Sequence, residues 1–463
     1  MAELLELKGK HVLVVGLART GVATARFCGE RGAVVTAVDS RTESEIGAAV
    51  QELRGAGVQL RFGPDLEAAV EGQQLIVPSP GVPADAKLLN VARKHSIPIW
   101  SEIELAYRYL RGTLIGITGS NGKTTTTSLV EHILRQAGLQ TALAGNIGTP
   151  MIAHVAETSE QTYTVAELSS FQLELIETFR PNIAVLLNLT PDHLDRHKTL
   201  AAYAAAKARI FENQKEDAAA VLNLDDAASL PLAPSRPQLF WCSRRTTVEQ
   251  GAYIVDGGLV FRRGGIDEDI LQVSEIPLPG AHNLENVLAA VIVARLAGVR
   301  ADKIAAAVRS FAGVEHRIEF VAEIRGARYY NDSKATNVDA TMKALEAFPR
   351  RILVILGGKD KGSDYTPLIP LLQQRAAMIL LIGAAAEKIE SQIGDSVAVE
   401  RAGTLDHAIE MASRAAEPGD VVLLAPACAS FDQFENYEHR GRTFKKLVHE
   451  LENRAAGARN GGR

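Results

Sequence analysis

Apolar residues near the start of the chain run together instead of alternating. His11-Val12-Leu13-Val14-Val15 leads into Gly16-Leu17-Ala18-Arg19-Thr20-Gly21, then a helical stretch, then a second apolar run over 33–38 closed by Asp39. An unbroken apolar run bounded by turn residues fits a strand buried on both faces, and strand, glycine turn, helix, strand makes a βαβ unit with a nucleotide-type turn. A third strand is expected over 74–77, followed by the loop Ser79-Pro80-Gly81-Val82-Pro83. The alternation resumes with buried strands expected over 113–117, 163–168, 183–189 and 219–224, and Ala281-His282-Asn283-Leu284-Glu285-Asn286 opens an Ala-rich helix. Strand-like residues over 238–265 around the turn Asp256-Gly257-Gly258 predict a small antiparallel insertion. A hairpin at Arg325-Gly326 begins the last stretch, where strands over 351–356, 378–382 and 421–424 alternate with helices. The tail over 455–463 has too little apolar surface to fold and is expected to be disordered.

This pattern predicts an α/β protein of three domains, over 1–100, 101–313 and 314–463; at 463 residues the chain is too long for one core. A formal charge of -5 without a basic block argues against nucleic acid as a partner. Cys28, Cys242 and Cys428 stand far apart with no C-x-x-C pair, which argues against a zinc site and for a reducing compartment. Residues 1–10 carry no apolar leader core, and no run of about eighteen apolar residues could span a bilayer. The expectation is a cytoplasmic, membrane-free monomer whose partners are small molecules.

The stretch Thr118-Gly119-Ser120-Asn121-Gly122-Lys123-Thr124-Thr125 follows a strand and enters a helix, the setting of a phosphate-binding loop. Glycines let backbone N–H groups close on phosphate oxygens, the helix N-terminus adds positive charge, Lys123 supplies a cation and Thr124 a hydroxyl for Mg²⁺. The spacing G-x-x-G-K-T is a variant of the usual G-x-x-x-x-G-K-[ST]. In the first domain, Ala18 at the middle position of the glycine fingerprint weakens a dinucleotide reading, while Asp39 stands where a ribose-binding carboxylate would.

Other clusters fall just past strands, at the carboxyl edge where such sheets bind ligands. Glu167, before Leu168-Ser169-Ser170-Phe171-Gln172, fits a Mg²⁺ ligand. His193 lies in the polar run Thr190-Pro191-Asp192-His193-Leu194-Asp195-Arg196-His197, whose aspartates could equally cap a helix. Lys207 sits among alanines on a helix; close packing there would desolvate the amine, lower its pKa and allow it to take up CO₂ as a carbamate. In the last domain, Tyr330-Asn331-Asp332-Ser333-Lys334-Ala335-Thr336-Asn337 reads as a helix cap by Asp332 or Ser333 that also carries a lysine. Gly357-Gly358-Lys359-Asp360-Lys361-Gly362 suits an anion, and Pro426-Ala427-Cys428-Ala429-Ser430-Phe431-Asp432-Gln433-Phe434 is expected to start a helix, so three loops should converge on one sheet edge. Without a base nearby in sequence, Cys428 reads as a packed thiol.

Together and in this order, the phosphate loop, Gly145-Asn146-Ile147-Gly148, Glu167-Leu168-Ser169-Ser170, the His193 loop, Lys207, His282-Asn283, His316-Arg317 and Asn331-Asp332-Ser333 resemble the Mur ligase family, ATP-dependent amide-forming enzymes of peptidoglycan precursor synthesis. The resemblance covers nearly the whole chain. The stretches Asp332-Ser333-Lys334-Ala335-Thr336-Asn337 and Ser430-Phe431-Asp432-Gln433-Phe434 look like those of members that add D-glutamate to UDP-N-acetylmuramoyl-L-alanine, and the Asp-Asn-Pro-Arg motif of diaminopimelate- or lysine-adding members is absent.

What the resemblance implies is a Rossmann-like UDP-binding domain, a central P-loop ATPase-like domain and a C-terminal Rossmann-like domain for the incoming amino acid, with ATP and Mg²⁺ as cofactors and a role in cell wall biogenesis. It assigns Thr20, Asp39, Ser40, Arg41, Ser79 and Gly81 to the uridine diphosphate part of the substrate and Asn146 to its muramoyl part. Gly119, Asn121, Gly122, Lys123, Thr124 and Thr125 meet the ATP phosphates, while Asn283, Arg317 and Asp332 grip adenine, ribose and phosphates. Thr124, Glu167, His193 and carbamylated Lys207 serve the metal, and Lys123, Glu167, His193 and Lys207 form the catalytic group. Lys334, Thr336, Lys361, Ser430 and Tyr437 hold D-glutamate, although an aromatic residue, often Phe, is the family's usual choice at the last place. A folylpolyglutamate synthase-like ligase would share the central and last domains but not the first. Outside the family, the rivals are a nucleotide-binding module without chemistry and an NAD-linked dehydrogenase, the latter opposed by Ala18 and the lack of a hydride-site signature.

Overall fold

The unbroken apolar runs form buried parallel strands. In the computed structural model, which describes residues 6–349, 351–394 and 397–460, the chain divides into two compact units, Met1–Glu275 with Leu284–Arg309 and Ile276–Asn283 with Ser310–Arg463.

The first unit holds two sheets. Strands β1 (His11–Val15), β2 (Val34–Asp39), β3 (Gln59–Phe62) and β4 (Leu75–Pro78) are all parallel, in the order β3-β2-β1-β4. Strand β3, absent from the sequence expectation, lies at the sheet edge and is nowhere fully buried, so it carries no apolar run to betray it. The central sheet comprises β5 (Thr113–Thr118), β6 (Thr141–Gly145), β7 (Tyr163–Glu167), β8 (Ile183–Leu186), β9 (Ala219–Asn223), β10 (Gln238–Ser243), β11 (Gly251–Val255), β12 (Gly258–Arg263) and β13 (Ile266–Gln272), in the order β13-β12-β11-β10-β9-β8-β5-β7-β6. The stretch expected as a small antiparallel insertion is antiparallel only in part and extends this sheet. Strand β10 pairs parallel with both β9 and β11, and the antiparallel pairing is confined to β11, β12 and β13.

One hydrophobic cluster runs through both sheets of this unit, from Val12, Val14 and Phe27 through Ile103, Leu105, Met151 and Ile152 to Leu168 and Leu186. Each such side chain taken fully out of water contributes about 1.5–3 kcal/mol, so the two sheets share one continuous stabilising core.

The second unit contains β14 (Glu319–Ile324), β15 (Ala327–Asn331), β16 (Ile352–Gly357), β17 (Ala376–Ile382), β18 (Val399–Gly403) and β19 (Val421–Leu424), in the order β14-β15-β19-β16-β17-β18. Only the β14–β15 hairpin is antiparallel; its turn places Arg325 and Gly326 at φ 53° and 81°, the left-handed pair that a two-residue hairpin requires. Two sequence expectations fail here. The loop after β19 does not start a helix at Phe431; the next helix is Tyr437–Asn460. That helix also continues through part of the supposedly disordered tail, where Ala455, Ala456 and Arg459 are strong helix formers, while 461–463 lie outside the described residues. Among the described residues no helix is long and apolar enough to cross a membrane. Cys28, Cys242 and Cys428 are all free and buried.

Candidate active site

The phosphate loop is shaped by two glycines and stitched down by its neighbour. Gly119 takes φ 153° and Gly122 φ 82°; a Cβ at Gly122 would lie 2.2 Å from Asn286 Oδ1, so the position has no room for a side chain. Gly122 is also the N-cap of the helix Lys123–Gln136 and offers no side-chain oxygen to its first turn, an arrangement suited to an anion at the helix end. The loop after β8 pins this one. Asn121 N donates to Asn188 Oδ1 (2.8 Å), Asn188 Nδ2 to the Asn121 carbonyl (3.1 Å), and Ser120 Oγ to the Thr190 carbonyl (2.9 Å). Lys123 Nζ donates to the carbonyls of Gly119 (2.8 Å) and Ser120 (2.9 Å), keeping a cation at the mouth of the loop.

Glu167 stands at the same edge. Strands β5 and β7 run parallel with Ile117 opposite Glu167, so the carboxylate emerges beside the phosphate loop. Its Oε1 accepts from Asn146 Nδ2 at 2.8 Å, and its Oε2 is buried without a hydrogen-bond partner. Lys207 completes the group. The alanine-rich helix Leu200–Ala208 packs so closely that this lysine is 1% exposed, its Nζ donating to the Gly119 carbonyl (2.8 Å) and standing 4.6 Å from the Tyr203 ring centre. Burial, reinforced by the charge of Lys123 and opposed by Asp192 and Glu167, pushes its amine down to about 6. A neutral lysine amine at the edge of a phosphate site is a nucleophile, not an ion-pair partner.

His193 lies in the neighbouring loop at φ 51°, exposed, with its ring edge-on to Phe171 (5.0 Å) and 3.6 Å from the Asp192 carboxylate. Among the described residues no group of three or more His, Cys, Asp and Glu side chains is gathered as a metal site. Lys123, Asn146, Glu167 and Lys207 are thus brought together, and His193 packs on Phe171 in the neighbouring loop.

At the carboxyl edge of the first sheet, Asp39 is 5% exposed and accepts from Leu17 N (2.7 Å) and from Arg41 N, Nε and Nη2 (2.9, 3.1 and 2.9 Å). Burial by itself would raise this carboxyl, but the Arg41 guanidinium and the two backbone donors hold it below its usual value. Ser79 Oγ donates to the Gly16 carbonyl (2.8 Å), Thr20 lies in the helix Arg19–Glu30, and Ser40 and Gly81 are exposed. These residues occupy the ends of β1, β2 and β4, one edge of one sheet.

In the second unit the three predicted loops do meet at one edge. Ala427 N donates to the Ala335 carbonyl (2.9 Å) and Lys359 N to the Ala429 carbonyl (2.8 Å). Lys334 Nζ lies 5.1 Å from the Tyr437 ring centre, Lys361 Nζ reaches the Thr336 carbonyl (3.4 Å), and Ser430 is buried. The helix Val338–Glu346 is capped by Asn337, whose side chain accepts from Ala340 N, and not by Asp332 or Ser333 as expected. Asp332 is instead a buried carboxyl, raised to about 7 by desolvation against the opposing charge of Arg317. Asn283 Nδ2 donates to the Pro279 carbonyl (2.6 Å).

Sequence reasoning missed Asn188, Asn286 and Arg440. The first fell inside the strand expected over 183–189, whereas β8 ends at Leu186; a polar Asn within an apolar run was the usable signal. Arg440 is fully buried, donating to Ser333 Oγ (3.0 Å), the Ser333 carbonyl (2.9 Å) and the Cys428 carbonyl (3.1 Å); on a helix so rich in charge it was indistinguishable from a solvated residue.

Comparison with known proteins follows the same order along the chain. Three family models match: Mur ligase MurD-like, N-terminal domain over 10–101, Mur ligase middle domain over 117–294, and Mur ligase, glutamate ligase domain over 316–428. The UDP-N-acetylmuramoylalanine--D-glutamate ligase of Acidobacterium capsulatum is 54% identical over 457 residues, covering 98% of this chain and 99% of that protein. The ligase of the same name from Koribacter versatilis is 51% identical over 96% of this chain and 99% of its own length. Among solved structures, a pseudomurein peptide ligase type C from Methanothermus fervidus shares the fold with a TM-score of 0.59 at 19% identity, covering 96% of this chain and all of its own. With its sheets, its phosphate loop and these matches taken together, the chain belongs to the Mur ligase family.

Proposed function

We propose that this chain is an ATP-dependent ligase that joins D-glutamate to UDP-N-acetylmuramoyl-L-alanine, a step of peptidoglycan precursor synthesis. The observation that carries the reading is the convergence of Lys123, Glu167 and Lys207 around a glycine-shaped phosphate loop, in a chain that matches D-glutamate ligases over nearly its whole length. The first domain, over 1–100, receives the uridine diphosphate part through Thr20, Asp39, Ser40, Arg41, Ser79 and Gly81, and Asn146 meets the muramoyl end. The central domain, over 101–313, serves the ATP phosphates through the 119–125 loop. The last, over 314–463, takes D-glutamate through Lys334, Thr336, Lys361, Ser430 and Tyr437. Asn283, Arg317 and Asp332 are assigned to the nucleotide by resemblance.

A carboxylate is a poor acyl donor, so its oxygen first attacks the γ-phosphorus of ATP, giving an acyl phosphate and ADP. Lys123 offsets the charge that develops on the phosphoryl oxygens. The amine of D-glutamate then attacks the acyl carbon, loses a proton, and phosphate departs as the amide forms.

The residues present fit a magnesium ion: Glu167 Oε2 is a buried oxygen without a donor, and the Thr124 hydroxyl lies in the first turn after the loop. Bound Mg²⁺ supplies charge neutralisation at the phosphates. Lys207 fits beside such an ion only after its neutral amine forms an N–C bond to CO₂ and releases a proton, which turns the amine into a carbamate anion with an oxygen to offer. By the family resemblance His193 would serve the same ion. The enzyme is proposed to act as a monomer in the cytoplasm.

The test is a product assay. Protein with ATP, Mg²⁺ and UDP-N-acetylmuramoyl-L-alanine should release phosphate only when D-glutamate is added. Release with L-glutamate and a folate instead would reject the reading.

A further inference from the structure

Arg196 lies in the short helix Leu194–His197, just past His193, and has no role in the assignments above. Its guanidinium leaves its own loop for the loop that follows β4. Nη1 donates to the Pro80 carbonyl at 3.0 Å and Nη2 to the Val82 carbonyl at 3.1 Å, while Nη2 also meets Glu174 Oε2 at 2.8 Å. The guanidinium sits 4.1 Å from the Phe171 ring centre, the ring on which His193 packs.

The far end of this arrangement returns to the catalytic strand. Glu174 Oε1 is 3.4 Å from His197 Nδ1, and His197 Nε2 is 2.9 Å from the hydroxyl of Ser170, which follows Glu167 closely in the chain. Arg196 and Glu174 are 17% and 16% exposed, so water screens the pair far less than a surface ion pair.

The 79–83 loop needs such support. Its start is tied to the first sheet by Ser79, whose N donates to the Val15 carbonyl and whose Oγ donates to that of Gly16. Pro80 and Pro83 lack an N–H, Gly81 is exposed, and a Cβ at Gly81 would touch nothing within 4 Å. Within the loop Val82 N donates back to the Ser79 carbonyl and Ala86 N to the Pro83 carbonyl, and Arg196 takes the carbonyls of Pro80 and Val82. Two carbonyls and one carboxylate around a planar fork is a task for guanidinium; an ammonium cannot span it.

We propose that Arg196 is a positioning residue, held by Glu174 and Phe171, that fixes the 79–83 loop against the His193 loop and so sets the fit of the sugar-nucleotide substrate. The proposal rests on the reading that this edge of the first sheet receives the uridine diphosphate group.

Steady-state kinetics on the full chain test it, with Arg196→Lys, Arg196→Gln, Glu174→Gln and the Arg196→Gln/Glu174→Gln pair. KM for UDP-N-acetylmuramoyl-L-alanine should rise about tenfold or more in both arginine variants, with the KM values for ATP and D-glutamate within about twofold of the parent. Glu174→Gln should shift the same KM by a smaller factor, and the pair should fall short of the product of the two single effects, because Arg196 and Glu174 share a contact. Should Arg196→Gln fail to fold, Arg196→Lys and Glu174→Gln carry the same comparison. An unchanged sugar-nucleotide KM, equal rises for all three substrates, or additive penalties would overturn the proposal. Parent protein that makes no D-glutamate-dependent product would sink the reading of function instead, and calorimetric binding of the sugar nucleotide to parent and Arg196→Lys then decides for Arg196 separately.

Discussion

Lys207 carries an unusual load for one side chain. Its amine titrates near 10.5 when solvated and at about 6 in the fold, so between those pH values the unfolded chain binds the extra proton. Stability should therefore increase with pH across that window, and Lys207→Met should flatten the rise in denaturant titrations in bicarbonate-free buffer. An unaltered slope would mean that the amine is charged inside the protein. Lys207→Ala should be inactive in the phosphate-release assay and partly restored by short carboxylates, since the missing piece is an oxygen ligand; no restoration by any of them counts against the carbamate. Lys123→Ala removes one preorganised charge at the transition state and should slow turnover by about 10²-fold or more, measured as kcat. Near-normal turnover would take the loop out of the mechanism.

At the scale of elements, the turns matter most. Gly122→Ala places a methyl group on Asn286 Oδ1 and forces an L-residue to φ 82°, a backbone cost of roughly 1–2 kcal/mol before any clash. ATP affinity by calorimetry should fall in Gly122→Ala and recover only in part in Gly122→Ala/Asn286→Ala, because the second change relieves the contact and leaves the dihedral strained. Full recovery would show that crowding alone fixed the glycine. These same elements show what could be read in advance. Strands buried on both faces, such as β1, β5, β8 and β19, announce themselves as apolar runs, and Gly119, Gly122 and Lys123 define their loop by spacing alone. The edge strands β3, β6 and β18 gave no such run, since solvent on one side removes the need for it. Asp332 reads in sequence as a cap because Asp, Ser and Asn are interchangeable in that role; only the backbone decides that Asn337 takes it. Arg440 was hidden for a related reason, as burial of a long cation by backbone carbonyls leaves no mark on composition.

For the whole molecule, the cores set the expectation. The first and central sheets share one apolar cluster, whereas the sheet of the second unit is packed on both faces by clusters drawn from its own residues. Unfolding followed by calorimetry should then show more than one cooperative step, with ATP raising the step that belongs to the phosphate-loop unit. A single transition with equal calorimetric and van't Hoff enthalpies would contradict this. The three thiols have a practical corollary. Each is buried, and burial raises each above the ordinary thiol range, so none is present as thiolate at neutral pH. The native chain should thus ignore maleimide dyes, and Ile266→Cys, on a side chain 74% exposed at the far sheet edge, should accept a single fluorophore without prior removal of any natural cysteine.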